Sequence, residues 1–589
     1  MKLSDYVIEF IKNNGVNIIF GYQGGAITHL VDSISKIDGI EFMSLYHEQA
    51  AAFAAEGFSR ISGNIGVAIA TSGPGATNLI TGIGSSFFDS IPCLYITGQV
   101  NTYEYKRNNL IRQEGFQETD IVSIVKPITK YAIMITSENE IRFCLEKALY
   151  IAKEGRPGPV IVDIPMNIQR ADIEPENLMS FYDSEEYKNM NKKYSNDSDV
   201  SEVIKLIKDA KRPVILAGGG VRLAKATVEL KTFSELTGIP VATTLMGIDS
   251  FEHHHPNFIG YMGSYGTRYA NLAVANSDLI IVIGSRLTSR QTSSNVKTFA
   301  REAKIVHIDI DINELNLKLK EDISVVCDIK FFLKKIIKIL IEDNYKNNFL
   351  NWIKRINSYK EQYPSYPTQK QNNNIDPNEF MYKLSEMCDE DTIFCLDIGQ
   401  NQIWASQSIV LKTGQRILNA GGMGPMGFAL PSAIGAYKAN PKVRIVAIVG
   451  DGGLQMNIQE LQTIVRENIP VKIIVMNNHA LGMIRHFQEL YFSSNYYGTI
   501  EGYSSPDFTK VANAYGIDAI NIKDENHLGS LIEILKNDSP YLVVINLSNI
   551  TYVIPKLEMG RPIEDQSPLV NRDDLENNMI VDMYKLDKN

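Results

Sequence analysis

A multidomain α/β protein built on parallel sheets is what the sequence predicts, and three observations predict it. At 589 residues the chain is too long for one hydrophobic core and suggests three or four domains. From Leu3 to about Gln169 short apolar runs alternate with helical patterns. Between Val443 and Met483 an apolar strand, an amphipathic helix and a second apolar strand follow one another as a βαβ unit.

Composition narrows the class. Hydrophobic residues make up 44% and charged residues 21%, ordinary values for a globular protein with a large core. The formal charge of −10 argues against nucleic acid and against an anionic membrane as partners, since both reward basic patches and none is visible. The 5 cysteines are odd in number and form no CxxC pair, so neither a disulfide framework nor a zinc site is expected, and a cytoplasmic location is. The N-terminal MKLSDYVIEFIKNNGV has helical apolar spacing interrupted by acidic residues, and no apolar run is long enough for a leader or a membrane span. The chain is expected to start directly with folded protein.

In order, helix Leu3–Asn13 leads to a strand at 16–21, the turn Gln23-Gly24-Gly25, a helix to about Ile37 and a strand at 40–46. Glu48 follows at a strand-to-helix junction in apolar surroundings. There a carboxylate can share a proton with a bound base, or simply answer the helix dipole. The Ala-rich QAAAFAAEGFSRISG can pack closely, and the strand at 65–70 runs into the loop Thr71-Ser72-Gly73-Pro74-Gly75-Ala76-Thr77-Asn78. Phe116-Gln117-Glu118-Thr119 and Ile128-Thr129-Lys130 read by themselves as surface loops. Gly155-Arg156-Pro157-Gly158-Pro159-Val160 opens a last strand that closes the first domain near Arg170.

The polar stretch 180–198 reads as a linker. A helix at 200–210 and strand Pro213–Ala217 come next, then Gly218-Gly219-Gly220, a triplet able to hold a phosphate at a helix N-terminus. His253-His254-His255 is not read as a metal site, because adjacent histidines on a loop before Pro256 do not converge easily. A second linker, 357–376, is rich in Pro, Gln and Asn, and beyond it strand Thr392–Leu396 begins the third domain.

The polar residues of the βαβ unit stand where its strands end. In a parallel sheet those ends share the crevice that open α/β folds use for ligands. Gly450-Asp451-Gly452-Gly453 and Asn477-Asn478 each look like a plain turn alone. Together a carboxylate, an amide oxygen and exposed glycine amides suit a hard cation, Mg²⁺, carrying a diphosphate.

Asn478 follows Asp451 by 27 positions, and this pair resembles the GDG…NN signature of thiamine-diphosphate enzymes. YHEQAAAFAAEGFSR, TSGPGATN, FQET, ITK, DIGQNQIW and AGGMGPMGF resemble, in order, segments of the acetolactate synthase large-subunit family, over roughly residues 1–550. The resemblance implies three doubly wound parallel-sheet domains: 1–170 binding the thiamine pyrimidine, 190–345 resembling an FAD-binding domain, and 375–554 binding diphosphate and Mg²⁺, with 555–589 as a C-terminal tail. It implies Asp451, Asn478 and the carbonyl of Ala480 as metal ligands. Thiamine diphosphate would lie against Pro74, Asn78, Gly399, Gln400, Asn401, Gly424, Met426, Gly452, Gly453, Gly482 and Met483. Glu48 falls on the position that protonates the cofactor's pyrimidine nitrogen, with Gly25, Gln117 and Lys130 as further catalytic candidates. FAD, in a structural role, would meet Gly218, Gly219, Gly220, Thr244, Leu245, Met246, Gly284, Arg286, Asp309 and Asp328. Phe116, Arg290, Ile484 and Phe487 are the substrate candidates, Arg290 because a guanidinium can grip a carboxylate bidentately.

The reaction so implied decarboxylates pyruvate and adds the hydroxyethyl unit to a second carbonyl. A homodimer or homotetramer is implied, with a regulatory subunit as a further partner. The chain departs from the family pattern at Tyr265, at Thr288-Ser289 in place of two Asp, at Asn401 in place of a His, and at Ile484 and Phe487 in place of a Val and a Trp. Phe487, the non-acidic Thr288-Ser289 pair and the variant tail keep open an acceptor other than a ketoacid, such as a nucleotide-linked ketosugar, with Arg290 arguing the other way, while intact Glu48, Asp451 and Asn478 weigh against a non-catalytic regulator. The tail is expected either to fold across the active-site entrance or to be a disordered end.

Overall fold

The structure, a computed structural model, describes residues 1–106, 110–190, 200–366 and 375–585. Three six-stranded sheets follow one another along the chain, each wholly parallel. Across the first sheet the strands run Glu41–Ser44, Ile18–Gly21, Gly66–Ala70, Cys93–Gln99, Val160–Pro165 and Tyr131–Met134. The third repeats this order with Arg416–Asn419, Thr392–Leu396, Arg444–Gly450, Lys472–Asn477, Tyr541–Asn546 and Asp518–Ile522.

The middle sheet is wound differently: Phe258–Tyr261, Val241–Thr243, Pro213–Ala217, Leu279–Ile283, Lys304–Asp309 and Ile323–Val326. Counted from its first strand this is the order 3-2-1-4-5-6 of dinucleotide-binding folds. The α/β expectation is thereby met. Among the described residues no helix is long and apolar enough to cross a membrane.

The βαβ unit forms as read, with Gly450 opposite Met476 in the parallel pairing. Its expected single helix is two, Asp451–Met456 and Glu460–Arg466. The break falls at Asn457, whose side chain donates to the carbonyl of Gly427 (2.8 Å) and whose backbone leaves helical geometry.

The first and third sheets share a core. Helix Glu48–Ser62 of the first packs on helix Ala429–Ala439 of the third, and their alanines, apart from the half-buried Ala439, are buried among strand residues of both sheets. The contact is backbone-close: a Cβ on Gly57 would lie 2.3 Å from the Ser432 carbonyl oxygen, and one on Gly435 1.9 Å from that of Ala54. The Ala-rich run after Glu48 is what permits this approach. The middle sheet has a core of its own, to which Ile563 and Leu575 from the tail belong.

Three segments differ from expectation. The first linker is docked where described: Phe181 is fully buried against the rings of Phe143, Tyr150 and Tyr187, because the described part of the polar stretch hides three aromatic residues, Phe181, Tyr182 and Tyr187, with a surface to cover. Its residues 191–199 lie outside the described residues. The second linker begins inside helix Leu350–Gln362, where Tyr359 is buried and donates to the Asn578 carbonyl (2.8 Å); residues 367–374 lie outside the described ones.

Where it is described, the tail does not hang free. Through residue 585 it straps the middle domain. Leu557 N donates to Ser264 O (2.7 Å), Asn271 Nδ2 to Ile563 O (3.0 Å) and Gln566 Nε2 to Gly266 O (2.8 Å), while Arg301 pairs with Glu564 (2.8 Å). Replacing Gly435 with Ala should force the two alanine-rich helices apart and cost about 1–3 kcal/mol or more. Urea unfolding followed by circular dichroism checks this, and an unchanged midpoint would show that the crossing yields without cost.

Candidate active site

The third sheet reverses its winding between Thr392–Leu396 and Arg444–Gly450, and the loops leaving these two strands meet there. Asp451, 3% exposed, opens the helix after the second. Its Oδ1 accepts the Gly452 N–H (2.9 Å), and its Oδ2 is buried without a hydrogen-bond partner. Burial pushes the carboxyl up to about 6.

Asn478 opens the loop that follows the neighbouring strand Lys472–Asn477. Its Nδ2 donates to Gln400 Oε1 (3.0 Å) and to Thr551 Oγ1 (2.9 Å), so its oxygen faces away from them and accepts the Ala480 N–H (3.3 Å). A bare buried carboxylate oxygen beside an oriented amide oxygen fits a cation. Among the described residues no group of three or more His, Cys, Asp or Glu is placed to hold a metal ion. An oxygen set with one carboxylate suits Mg²⁺, which keeps phosphate oxygens as its other ligands.

The glycines around this set are required by close approach. A Cβ on Gly482 would stand 2.0 Å from Gln400 Oε1, one on Gly452 2.9 Å from Leu481 Cδ2 and 3.2 Å from Met426 Cε, and one on Gly453 2.8 Å from Asp397 Oδ1. Gly399, at φ +126°, turns the chain into helix Gln400–Ser408, and Gly424, at φ +67°, bends the loop beside Ile398. Met483 stands half-buried at the start of helix Gly482–Tyr491. These residues can therefore line a diphosphate cradle.

Asn401 lies beside Gly399 and Gly450. Its Nδ2 donates to the carbonyls of Asp397 (3.0 Å) and Ile448 (3.1 Å), which turns its donor group into the strand ends.

In the first sheet Glu48 is buried at the head of its helix, with His47 as the cap. Asn78 Nδ2 donates to Glu48 Oε2 (2.9 Å), and the other oxygen lies 3.1 Å from where a Gly75 Cβ would be. Pro74 begins the short helix that ends in Asn78. Gln117 comes to the same loop: its Cβ is 3.0 Å from a Cβ on Gly73, and it holds φ +64°, a strained value for a non-glycine residue. Gly25 faces open space. Lys130 goes elsewhere, its Nζ on the Glu154 carbonyl (2.6 Å) and its pKa brought down to about 8 by burial. Phe116 is 85% exposed, and Ile484 and Phe487 are exposed on helix Gly482–Tyr491.

Between the three sheets lies a cavity of about 790 Å³. It is lined by Gly219, Gly220, Thr244, Leu245, Met246, Gly284, Arg286, Asp309 and Asp328, and by Arg290. It opens at the middle sheet's switch point, between the strands that end at Ala217 and Ile283, where a dinucleotide pyrophosphate is bound in such folds. Gly218 is not on its wall; a Cβ there would be 2.1 Å from the Gly284 carbonyl, so this glycine lets the two loops abut.

Arg60 and Asp89 of the first domain reach the same cavity. They are joined at 2.9 Å, and Asp89 accepts the N–H groups of Gly421 (3.0 Å) and Gly422 (2.7 Å). Thr288 uses its hydroxyl on Gln291 Oε1 (2.8 Å), and Arg290 lies 5.8 Å from the Tyr265 ring centroid. The three histidines diverge: His253 is held between the carbonyls of Ile248 and Ile409, and His255 faces Glu235.

Sequence reasoning missed Asp397, which accepts the N–H groups of Ile398 (2.9 Å), Gly427 (3.0 Å) and Ala429 (3.2 Å) and so anchors the Gly424 loop. It also missed Asp89 and Thr551. For Asp397 its place beside Gly399 was the one available signal.

Three family models match the chain: thiamine pyrophosphate enzyme, N-terminal TPP binding domain, at residues 1–124; the central domain, at 200–336; and the C-terminal TPP binding domain, at 397–545. The acetolactate synthase large subunit of Lactococcus lactis subsp. lactis is 36% identical over 562 residues, 95% of this chain and 94% of that protein. The probable acetolactate synthase large subunit of Methanocaldococcus jannaschii is 40% identical over 555 residues, 92% of each. The chloroplastic acetolactate synthase of Arabidopsis thaliana is 37% identical over 574 residues, 96% of this chain and 84% of that one. The chain is thus a thiamine pyrophosphate enzyme and belongs to the family of the acetolactate synthase large subunits.

Proposed function

We propose that this chain decarboxylates pyruvate and joins the two-carbon unit to a second 2-ketoacid, the acetolactate synthase reaction. The observation that carries this reading is a buried Glu48 held by Asn78 in the same chain as the oxygen set of Asp451 and Asn478. Thiamine diphosphate, when bound, supplies the nucleophilic carbon and the electron sink.

Asp451 Oδ2, Asn478 Oδ1 and the Ala480 carbonyl would hold Mg²⁺, and the loops at Gly399, Gly452 and Gly482 would hold the diphosphate. Glu48 holds and returns a proton at the pyrimidine nitrogen, its second oxygen fixed by Asn78 so that one oxygen alone does this work. The Gly25 N–H would stabilise a developing oxyanion and the Gln117 amide would orient the donor. Arg290 grips the acceptor carboxylate. FAD occupies the central cavity in a structural role, because decarboxylation and ligation transfer no net electrons.

The complete site forms between two chains of a homodimer. Phe116, Met423, Met456, Ile484 and Phe487 are exposed apolar side chains on the loops and helices of the two half-sites, and a second copy would cover them.

With thiamine diphosphate, Mg²⁺ and pyruvate alone, the protein should form acetolactate. Glu48→Gln should lower turnover about 10²–10⁴-fold with circular dichroism unchanged. Activity retained in that variant, or carbon dioxide release only after a nucleotide-linked ketosugar is added, would overturn the reading.

Purified protein should carry or take up a yellow flavin chromophore; a colourless preparation that binds no added FAD would remove FAD from the central cavity. Mixing inactive Glu48→Gln chains with inactive Asp451→Asn chains should restore part of the activity, since a hybrid dimer has one intact site. If each chain builds its own site, the mixture stays inactive.

A further inference from the structure

Helix Gly482–Tyr491 carries Ile484 and Phe487 outward and one charged residue inward. Arg485 is 1% exposed. One terminal nitrogen donates to Glu489 Oε2 (2.8 Å), the other donates to the carbonyl of Thr551 (2.5 Å), and the guanidinium lies 4.8 Å from the Tyr552 ring centroid. Glu489 is held in turn by the Tyr552 hydroxyl on Oε1 (2.9 Å). Arg485 Nε is buried with no hydrogen-bond partner. A buried guanidinium left partly unsatisfied stabilises a fold less than an apolar side chain of the same volume would, so stability alone does not account for it.

What it grips does account for it. Thr551 belongs to no helix or strand, so side-chain bonds fix its place. Its Oγ1 donates to Gln400 Oε1 (2.9 Å) and accepts from Asn478 Nδ2 (2.9 Å), and Gln400 Nε2 donates to the same Thr551 carbonyl that Arg485 holds (2.9 Å). Trp404 Nε1 secures the next carbonyl, that of Tyr552 (2.9 Å). The Thr551 and Gln400 pair decides which way the Asn478 amide faces.

We propose that Arg485 is a positioning residue for Asn478: by holding the Thr551 carbonyl it fixes the pair that orients the Asn478 amide, and it ties the helix bearing Ile484 and Phe487 to that pair. The inference rests on the reading of Asn478 as a metal ligand. Groups behind a ligand that set its orientation typically change metal affinity 10–100-fold when removed. Arg485 stands one step further out, and its loss should act less on the metal and also on the acceptor side.

Mg²⁺ is titrated by calorimetry into the full-length protein with thiamine diphosphate present, and the acceptor KM is measured for pyruvate and 2-ketobutyrate. Thr551→Val should weaken Mg²⁺ binding about 10–100-fold. Arg485→Lys, which reaches one partner but not both, should weaken it roughly threefold to tenfold on the same scale and raise acceptor KM more than it lowers kcat. Glu489→Gln keeps the guanidinium in place while loosening its anchor, and should change both quantities in the same direction even if the lysine variant does not fold.

Mg²⁺ affinity and acceptor KM within twofold of wild type in Arg485→Lys and Glu489→Gln would overturn the proposal. So would a fall in kcat that merely follows a lowered melting temperature. Wild-type protein that binds Mg²⁺ with thiamine diphosphate yet forms no acetolactate would overturn the functional reading, while the changes in Mg²⁺ affinity would still uphold the Arg485 tie.

Discussion

The close crossing of helices Glu48–Ser62 and Ala429–Ala439 is the constraint on which the arrangement of the site depends. Glu48 is the first residue of one helix, and the other follows directly on the loop with Gly424 and Met426. Their separation is set by backbone contact at Gly57 and Gly435, which leaves no room for adjustment. Glu48 and the Gly424 loop, which on the proposed two-chain reading serve different sites of the dimer, are thereby fixed to one rigid body. Polar bonds finish the alignment: Gln49 accepts from Asn457 (3.4 Å), which also holds the Gly427 carbonyl, and Glu460 accepts the Tyr46 N–H (2.9 Å) from the first sheet.

Charge is handled differently at each junction. Where first and third domains meet beside the central cavity, Arg60 is enclosed by Glu56 (2.5 Å) and Asp89 (2.9 Å), and Asp89 passes on its negative charge as an acceptor for two glycine N–H groups of the Gly424 loop. A buried ion pair of this kind holds geometry more than it adds stability. At the metal cradle the balance is the reverse. Asp397 is satisfied by backbone N–H groups alone, whereas Asp451 retains one oxygen with no protein partner. Two buried carboxylates a few residues from the same switch point are thus left in opposite states by their surroundings, one saturated by the loop it shapes and one with an oxygen still open.

What the sequence disclosed and what it hid divide along contact range. The strands at Pro213–Ala217, Thr392–Leu396 and Arg444–Gly450 were legible because their apolar runs stop at Gly218, Asp397 and Gly450, and parallel pairing then brings Asp451 and Asn478 together without further information. The Ala-rich run announced a tight helix contact but not its partner. At Asn401 residue type states that a donor exists, not that two strand-end carbonyls claim it. Phe181 lay within a stretch whose average polarity concealed one aromatic cluster. The tail strap and the Thr551 pairing join residues some 70 to 300 positions apart, and no local pattern encodes them.

The same division separates the settled part of the chemistry from the variable part. Glu48, Asn478 and Asp397 are buried and hydrogen-bonded: Glu48 by Asn78, Asn478 by Gln400 and Thr551, Asp397 by three backbone amides. Changing one disturbs all its neighbours, so such groups come as a set and read as a motif. Ile484, Phe487 and Phe116 stand exposed on their own chain, where no packed neighbour dictates their size. Their meaning depends on what second surface covers them and on which acceptor fits between. A helix that presents such free residues on one side still needs a fixed origin on the other, and in this chain the inward guanidinium of Arg485, bound to the loop behind Asn478, supplies it. The acceptor side is therefore free to vary in side chain while constrained in position.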